Sequence, residues 1–132
     1  MKIQLRGHCQ MCGREQAVRN GRVAKHGYTV ANRGRFGWLR GTCSGHLFGP
    51  IETDRSMLDK CAAELREQAA KLRERAGLYE SGAEPLPEGE YSPFPVARKL
   101  RDEASDAEWA AKKLVTAADE LHGKPLREVV IN

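Results

Sequence analysis

Cysteine and histidine spacing in the first third of this chain constrains its fold more than any other feature. The sequence reads Gly7-His8-Cys9-Gln10-Met11-Cys12-Gly13-Arg14 at one end and Gly41-Thr42-Cys43-Ser44-Gly45-His46 at the other. A Cys-x-x-Cys followed at once by glycine has the form of a metal knuckle. Three soft thiolates and an imidazole in one small polar segment form the donor set that tetrahedral Zn²⁺ takes. Cys9, Cys12 and Cys43 are the natural first three ligands, and His46, with two residues between it and Cys43, has the spacing for the fourth. The same cysteines read as plain reduced thiols would leave the segment with no core of its own. A redox reading of Cys-x-x-Cys needs a βαβ context that is absent here.

A second histidine competes for the fourth place. Asn20-Gly21 sits at the centre of Glu15-Gln16-Ala17-Val18-Arg19-Asn20-Gly21-Arg22-Val23. Asn-Gly is a strong two-residue hairpin signal, because both turn positions need positive φ. The register it predicts sets Arg19 opposite Arg22, Val18 opposite Val23 and Glu15 opposite His26. His26 therefore returns to the end of the hairpin that holds Cys12. Beyond it, residues 31–41 (Ala-Asn-Arg-Gly-Arg-Phe-Gly-Trp-Leu-Arg-Gly) read as a Gly/Arg loop with embedded hydrophobes. Arg33, Arg35 and Arg40, with Arg19 and Arg22, are candidates for phosphate contacts, and Phe36 and Trp38 for stacking on bases. The competing reading makes Phe36 and Trp38 a lid over the metal site, with the arginines solvating it.

Charge sharpens the division. Residues 1–53 carry nine Lys/Arg against two Glu, a net of +7, while the remaining 13 bases and 16 acids of residues 54–132 give −3. A basic half of this kind suits nucleic acid or an acidic protein surface. At 132 residues with 40% hydrophobic content and mean hydropathy −0.61, the chain is thinly cored. It has no apolar run of the roughly 18 residues a membrane span needs, and its first residues hold no signal-peptide h-region. The expected location is cytoplasmic, in a bacterial or phage-infected cell, with no membrane partner.

The second half is patterned for helices. Thr53 and Asp54 are N-cap residues for a helix whose stripe is Leu58, Ala62, Leu65, Ala69, Leu72, Ala76 and Tyr79. Four prolines between Ala83 and Pro95 mark a non-helical connection over about 81–95. A second helix runs from about Val96 to His122, with the stripe Ala97, Leu100, Ala104, Ala107, Ala111, Leu114, Ala118 and Leu121. Heptad spacing on both predicts an antiparallel, coiled-coil-like hairpin, and its alanines predict close backbone approach. The seam includes Leu65, Leu72, Leu100 and Leu114. Cys61 reads as a buried apolar residue. Trp109 lies off the seam, so it needs burial against the metal module or in a homodimer interface. The tail Leu126–Asn132 has β character and suits pairing with Ile3–Leu5. The expected architecture is α+β: a zinc-ribbon-like β module (1–52), then a helical hairpin with an extended tail (53–132).

The run from Cys9 through His26-Gly27-Tyr28, with the later Gly41-Thr42-Cys43-Ser44-Gly45, resembles a group of small phage, prophage and bacterial zinc-finger-like proteins. The resemblance covers about residues 7–52, and the helical half carries none. It implies metal binding by Cys9, Cys12, Cys43 and the histidine of His-Gly-Tyr, His26 here. No catalytic constellation appears: no nucleophile elbow, no phosphate-cradling Gly-Lys-Ser/Thr, no carboxylate pair beside the metal residues. Four protein ligands on Zn²⁺ would leave no open coordination position. The expected function is a non-catalytic module with a structural Zn²⁺ that contacts DNA, RNA or a nucleoprotein. The alternative is a phage-type interaction factor that inhibits or adapts a host protein complex. A metalloenzyme subunit is the remote third.

Overall fold

The computed structural model describes residues 2–31 and 38–132, leaving aside the side chains of residues 28–40. The fold is α+β. Strand β1 (Lys2–His8) is followed by β2 (Glu15–Arg19) and β3 (Arg22–Val23). A second ribbon follows, β4 (Gly27–Ala31) with β5 (Trp38–Thr42), and then a 3₁₀ turn at Ser44–Leu47. Helices α1 (Ser56–Ser81) and α2 (Pro93–Leu121) come next, and β6 (Arg127–Ile131) closes the chain.

The main sheet has the order β3-β2-β1-β6, with antiparallel neighbours throughout. Asn20 and Gly21 both take positive φ, 52° and 75°, the conformation a two-residue turn of this handedness requires. Their turn sets Val18 opposite Val23 and Arg19 opposite Arg22, as the sequence predicts. The C-terminal tail does pair with β1, Ile3 facing Val130 and Leu5 facing Glu128. The Gly/Arg segment is more ordered than a loop at its flanks. Gly27 pairs with Thr42, Val30 with Leu39 and Ala31 with Trp38, in a stretch of sequence rich in β-formers. Arg33, Arg35 and Phe36 lie outside the described residues.

The chain divides into two compact units, residues 1–58 with 117–132 and residues 59–116. In the second, the residues joining the helices run in opposite order, Arg73 to Glu108 and Glu80 to Arg101, so the pair is antiparallel. The buried seam is lined by alanines, with Ala69, Ala76, Ala104 and Ala111 each at 1% exposure or less. Leu65 and Leu72 pack against Ala69, Ala104 and Ala107, yet they, Leu100 and Leu114 are only half-buried. Alanine methyl groups fill the centre of the seam, and the longer leucines lie at its flanks. Helix α2 begins three residues earlier than expected, at Pro93. Proline is tolerated in a first turn, where its missing N–H has no partner to lose, and the Ser92 hydroxyl lies 3.4 Å from the Phe94 amide. Cys61 is half-buried rather than buried.

Candidate metal centre

Three separated pieces of chain build one cluster. Sulfur atoms of Cys9, Cys12 and Cys43 and a ring nitrogen of His26 lie within 4.8 Å of one another. Cys9 and Cys12 come from the turn after β1, which is closed by bonds from the Gly13 amide to the Cys9 carbonyl (2.9 Å) and from the Cys9 amide to the Arg14 carbonyl (3.0 Å). His26 stands just before β4, and the Cys43 amide donates to the His26 carbonyl at 2.9 Å. The second ribbon thus brings the third cysteine and the histidine to one end. Val23 packs with Cys9 and Cys43 as the apolar wall.

The distances suit a tetrahedral ion. Cys9 and Cys43 sulfurs are 3.8 Å apart, and the Cys12 sulfur lies 3.3 Å from His26 Nε2. Metal–sulfur bonds of ~2.3 Å and metal–nitrogen bonds of ~2.0 Å imply tetrahedron edges of about 3.8 and 3.5 Å. The ring of His26 is also set correctly. Its Nδ1 is 2.8 Å from the Ala24 carbonyl, which can only accept, so Nδ1 carries the proton and Nε2 keeps a lone pair for the cluster. Backbone amides face two of the sulfurs, Met11 toward Cys9 at 3.4 Å and Gly45 toward Cys43 at 3.5 Å. Such N–H groups favour thiolate over thiol.

The electrostatics are uneven. Burial pushes the Cys9 thiol up to about 11. Burial would raise Cys12 too, but hydrogen bonds, chiefly from Arg14, outweigh it and bring Cys12 down to about 6. One thiolate therefore stands ready at neutral pH, and a cation must displace the proton of Cys9. The arrangement can hold a metal ion, and it is the one group of three or more potential ligands among the described residues.

His46 does not join the cluster. Its Nδ1 is bonded instead to the carbonyl of Cys43, at 2.7 Å, because the 3₁₀ turn folds the side chain back on the cysteine that begins it. The same turn makes Gly45 indispensable in a way the spacing does not announce. A Cβ on Gly45 would stand 1.9 Å from the Cys9 sulfur, so only glycine lets the two halves of the site meet.

The remaining candidates are dispersed. Arg19 and Arg22 are exposed opposite one another at the tip of the β2–β3 hairpin. Arg40 and Trp38 belong to β5. Trp109 is 60% exposed within the single chain, with the Lys113 ammonium 4.1 Å from its ring. Among the described residues no helix is long and apolar enough to cross a membrane. Comparison of the chain with protein-family models, curated proteins and solved structures finds no match.

Proposed function

We propose that the chain is a non-catalytic module in which a structural Zn²⁺ on Cys9, Cys12, His26 and Cys43 fixes a small β scaffold that contacts nucleic acid. Sulfur-rich tetrahedral donor sets favour zinc over hard cations. Four protein donors fill the shell and leave no position for a reacting water. The resemblance of residues 7–52 to zinc-finger-like proteins of phages and bacteria supports the same assignment.

One observation carries the nucleic-acid part. Arg19 and Arg22 face each other directly across the hairpin, an arrangement that costs stability because like charges oppose. The adjacent pair, Val18 and Val23, alternates to the other face, where Val23 joins the cysteine cluster. The metal side of the ribbon is thereby fixed, and the arginines are presented away from it. Both acids of residues 1–53 are already engaged. Glu15 pairs with Arg127, and Glu52 is buried against His8. No described acid pairs with Arg19, Arg22 or Lys25. Two unpaired guanidinium groups on a stiff tip suit consecutive phosphates. With Arg40 of β5, and with Arg33 and Arg35 contributing from the sequence between β4 and β5, about four phosphates would be neutralised, with little sequence preference.

The test is binding of duplex DNA and of single-stranded DNA and RNA against salt. Neutralising four phosphates of duplex DNA gives a slope of log K on log salt near −3.6. Arg19→Ala with Arg22→Ala should lower its magnitude by up to about 2 and leave zinc content unchanged. No binding to any of these at micromolar protein refutes the reading. A second reading, a phage-type factor that docks on a host protein complex, is favoured by the exposure of Trp109. It predicts a specific complex with weak salt dependence that Trp109→Ala disrupts.

A further inference from the structure

The residues that flank Cys9 are gripped by the segment leading into α1. On one side, the Glu52 carboxylate accepts from the His8 amide at 2.9 Å and meets His8 Nδ1 at 3.0 Å. The Ile51 amide donates to the His8 carbonyl at 2.8 Å. On the other side stands Gln10, an interior residue of the Cys-x-x-Cys turn, with only 4% of its surface exposed. A knuckle places no demand on the residue at this position. Here both ends of the amide are used. Its Nε2 donates to the Gly49 carbonyl at 2.9 Å, and its Oε1 accepts from the Met57 amide at 2.9 Å, 47 positions later in the chain.

Met57 is the second residue of α1, and its N–H is one of the donors that a helix start leaves without an internal partner. Ordinarily such donors are served by a neighbouring side chain, as Asp54 serves Ser56 here at 2.9 Å. Met57 is served by the metal turn instead. The path of Gln10 between Cys9 and Cys12 is set by the two sulfurs that bracket it. Whatever pins those sulfurs also holds the acceptor in front of Met57.

We propose that Gln10 is a positioning residue that couples metal occupancy to the start of α1, so that loading the centre caps the helix and emptying it uncaps it. The proposal rests on the metal reading, because coupling requires an ion to bind. Both hydrogen bonds lie inside the first compact unit, and the Gln10 side chain is buried. Loss of a helix-start acceptor frees the first turn locally. The metal then acts on the segment that begins the helical half as well as on the β module.

The experiment is amide hydrogen exchange on the full-length chain, loaded with Zn²⁺ or treated with a chelator, read at Met57. The Val23 amide, bonded to the Phe48 carbonyl at 3.1 Å, serves as the reference. In the natural protein, chelation should speed exchange at both sites, by roughly tenfold at Met57 as for a lost cap. In Gln10→Ala the chain should still take up zinc, and Val23 should still respond to the chelator. Met57 should exchange fast in both states, its dependence on metal gone. Gln10→Met repeats the test with the volume kept, in case the smaller side chain prevents folding. Met57 exchange that ignores zinc in the natural protein overturns the coupling, provided zinc is bound. So does metal dependence at Met57 that survives both Gln10 variants. A natural chain shown by elemental analysis to take up no zinc overturns the metal reading instead, and the coupling with it.

Discussion

Gly45→Ala should dismantle the metal centre without touching a ligand. The added Cβ would lie 1.9 Å from the Cys9 sulfur and 3.5 Å from that of Cys43. Ordinary contact begins near 3.4 Å, so the Cys9 sulfur would have to retreat by about 1.5 Å, whereas metal–ligand distances tolerate only ~0.2 Å. Cys9 is fully buried and has nowhere to shift without changing rotamer, which carries the sulfur away from its three partners. The alternative is for the 3₁₀ turn to move. That would break the Gly45 amide contact to Cys43 (3.5 Å) and the Phe48 amide bond to the Gly45 carbonyl (3.1 Å). On either path four donors become three, and zinc affinity should fall by at least the 10–100-fold typical of disturbed outer-shell contacts. Competition against a chromophoric chelator measures the loss, with circular dichroism following the fold. Gly77→Ala is the control. A Cβ there meets nothing within 4 Å, so zinc should be kept and α1 stabilised by ~0.5–1 kcal/mol. Unchanged zinc affinity in Gly45→Ala would refute the assignment of Cys9 as a ligand.

His26→Ala should lose zinc stoichiometry, while His46→Ala, which removes only a bond to the Cys43 carbonyl, should keep it; elemental analysis of both variants decides, and the reverse outcome would move the fourth ligand to His46. Ala69→Leu and Ala107→Leu should each destabilise the hairpin by ~1–3 kcal/mol in urea unfolding, because the seam is closed to anything larger than a methyl; neutral effects would refute close packing. Zinc affinity should rise with pH across pH 6–8, since loading must displace the Cys9 proton, held up to about 11 by burial; a flat profile would exclude thiolate coordination by Cys9. In the metal-free protein, the folded-state contribution of Cys12 is complete above the ordinary thiol value of 9.0 and lost as pH falls through about 6. Urea midpoints of the chelated chain should accordingly drop over that interval.

Much of this architecture is written in local pattern. Asn20-Gly21 specified its own turn, and with it the register that opposes Arg19 to Arg22, because positive φ at two successive residues leaves few alternatives. Heptad spacing of small residues specified two helices and the alanine-lined seam between them, since it stacks alanine on one face of each whatever surrounds them. The cysteine spacing announced a metal site for the same local reason. What local pattern could not decide was which histidine faces the sulfurs. His46 has the closer spacing, but a 3₁₀ turn bends it onto a carbonyl, whereas His26, which the hairpin register already made a rival, is held beside Cys43 by the bond from the Cys43 amide to its carbonyl. The second ribbon was equally hidden, since its Gly- and Arg-rich connection obscures two short β segments that stabilise each other only once paired. Gln10 and Gly45 were the least visible. One is an unremarked x in a knuckle and the other a spacer glycine. Their importance lies in contacts with Gly49, Met57 and the Cys9 sulfur, which exist only after distant parts of the chain have come together.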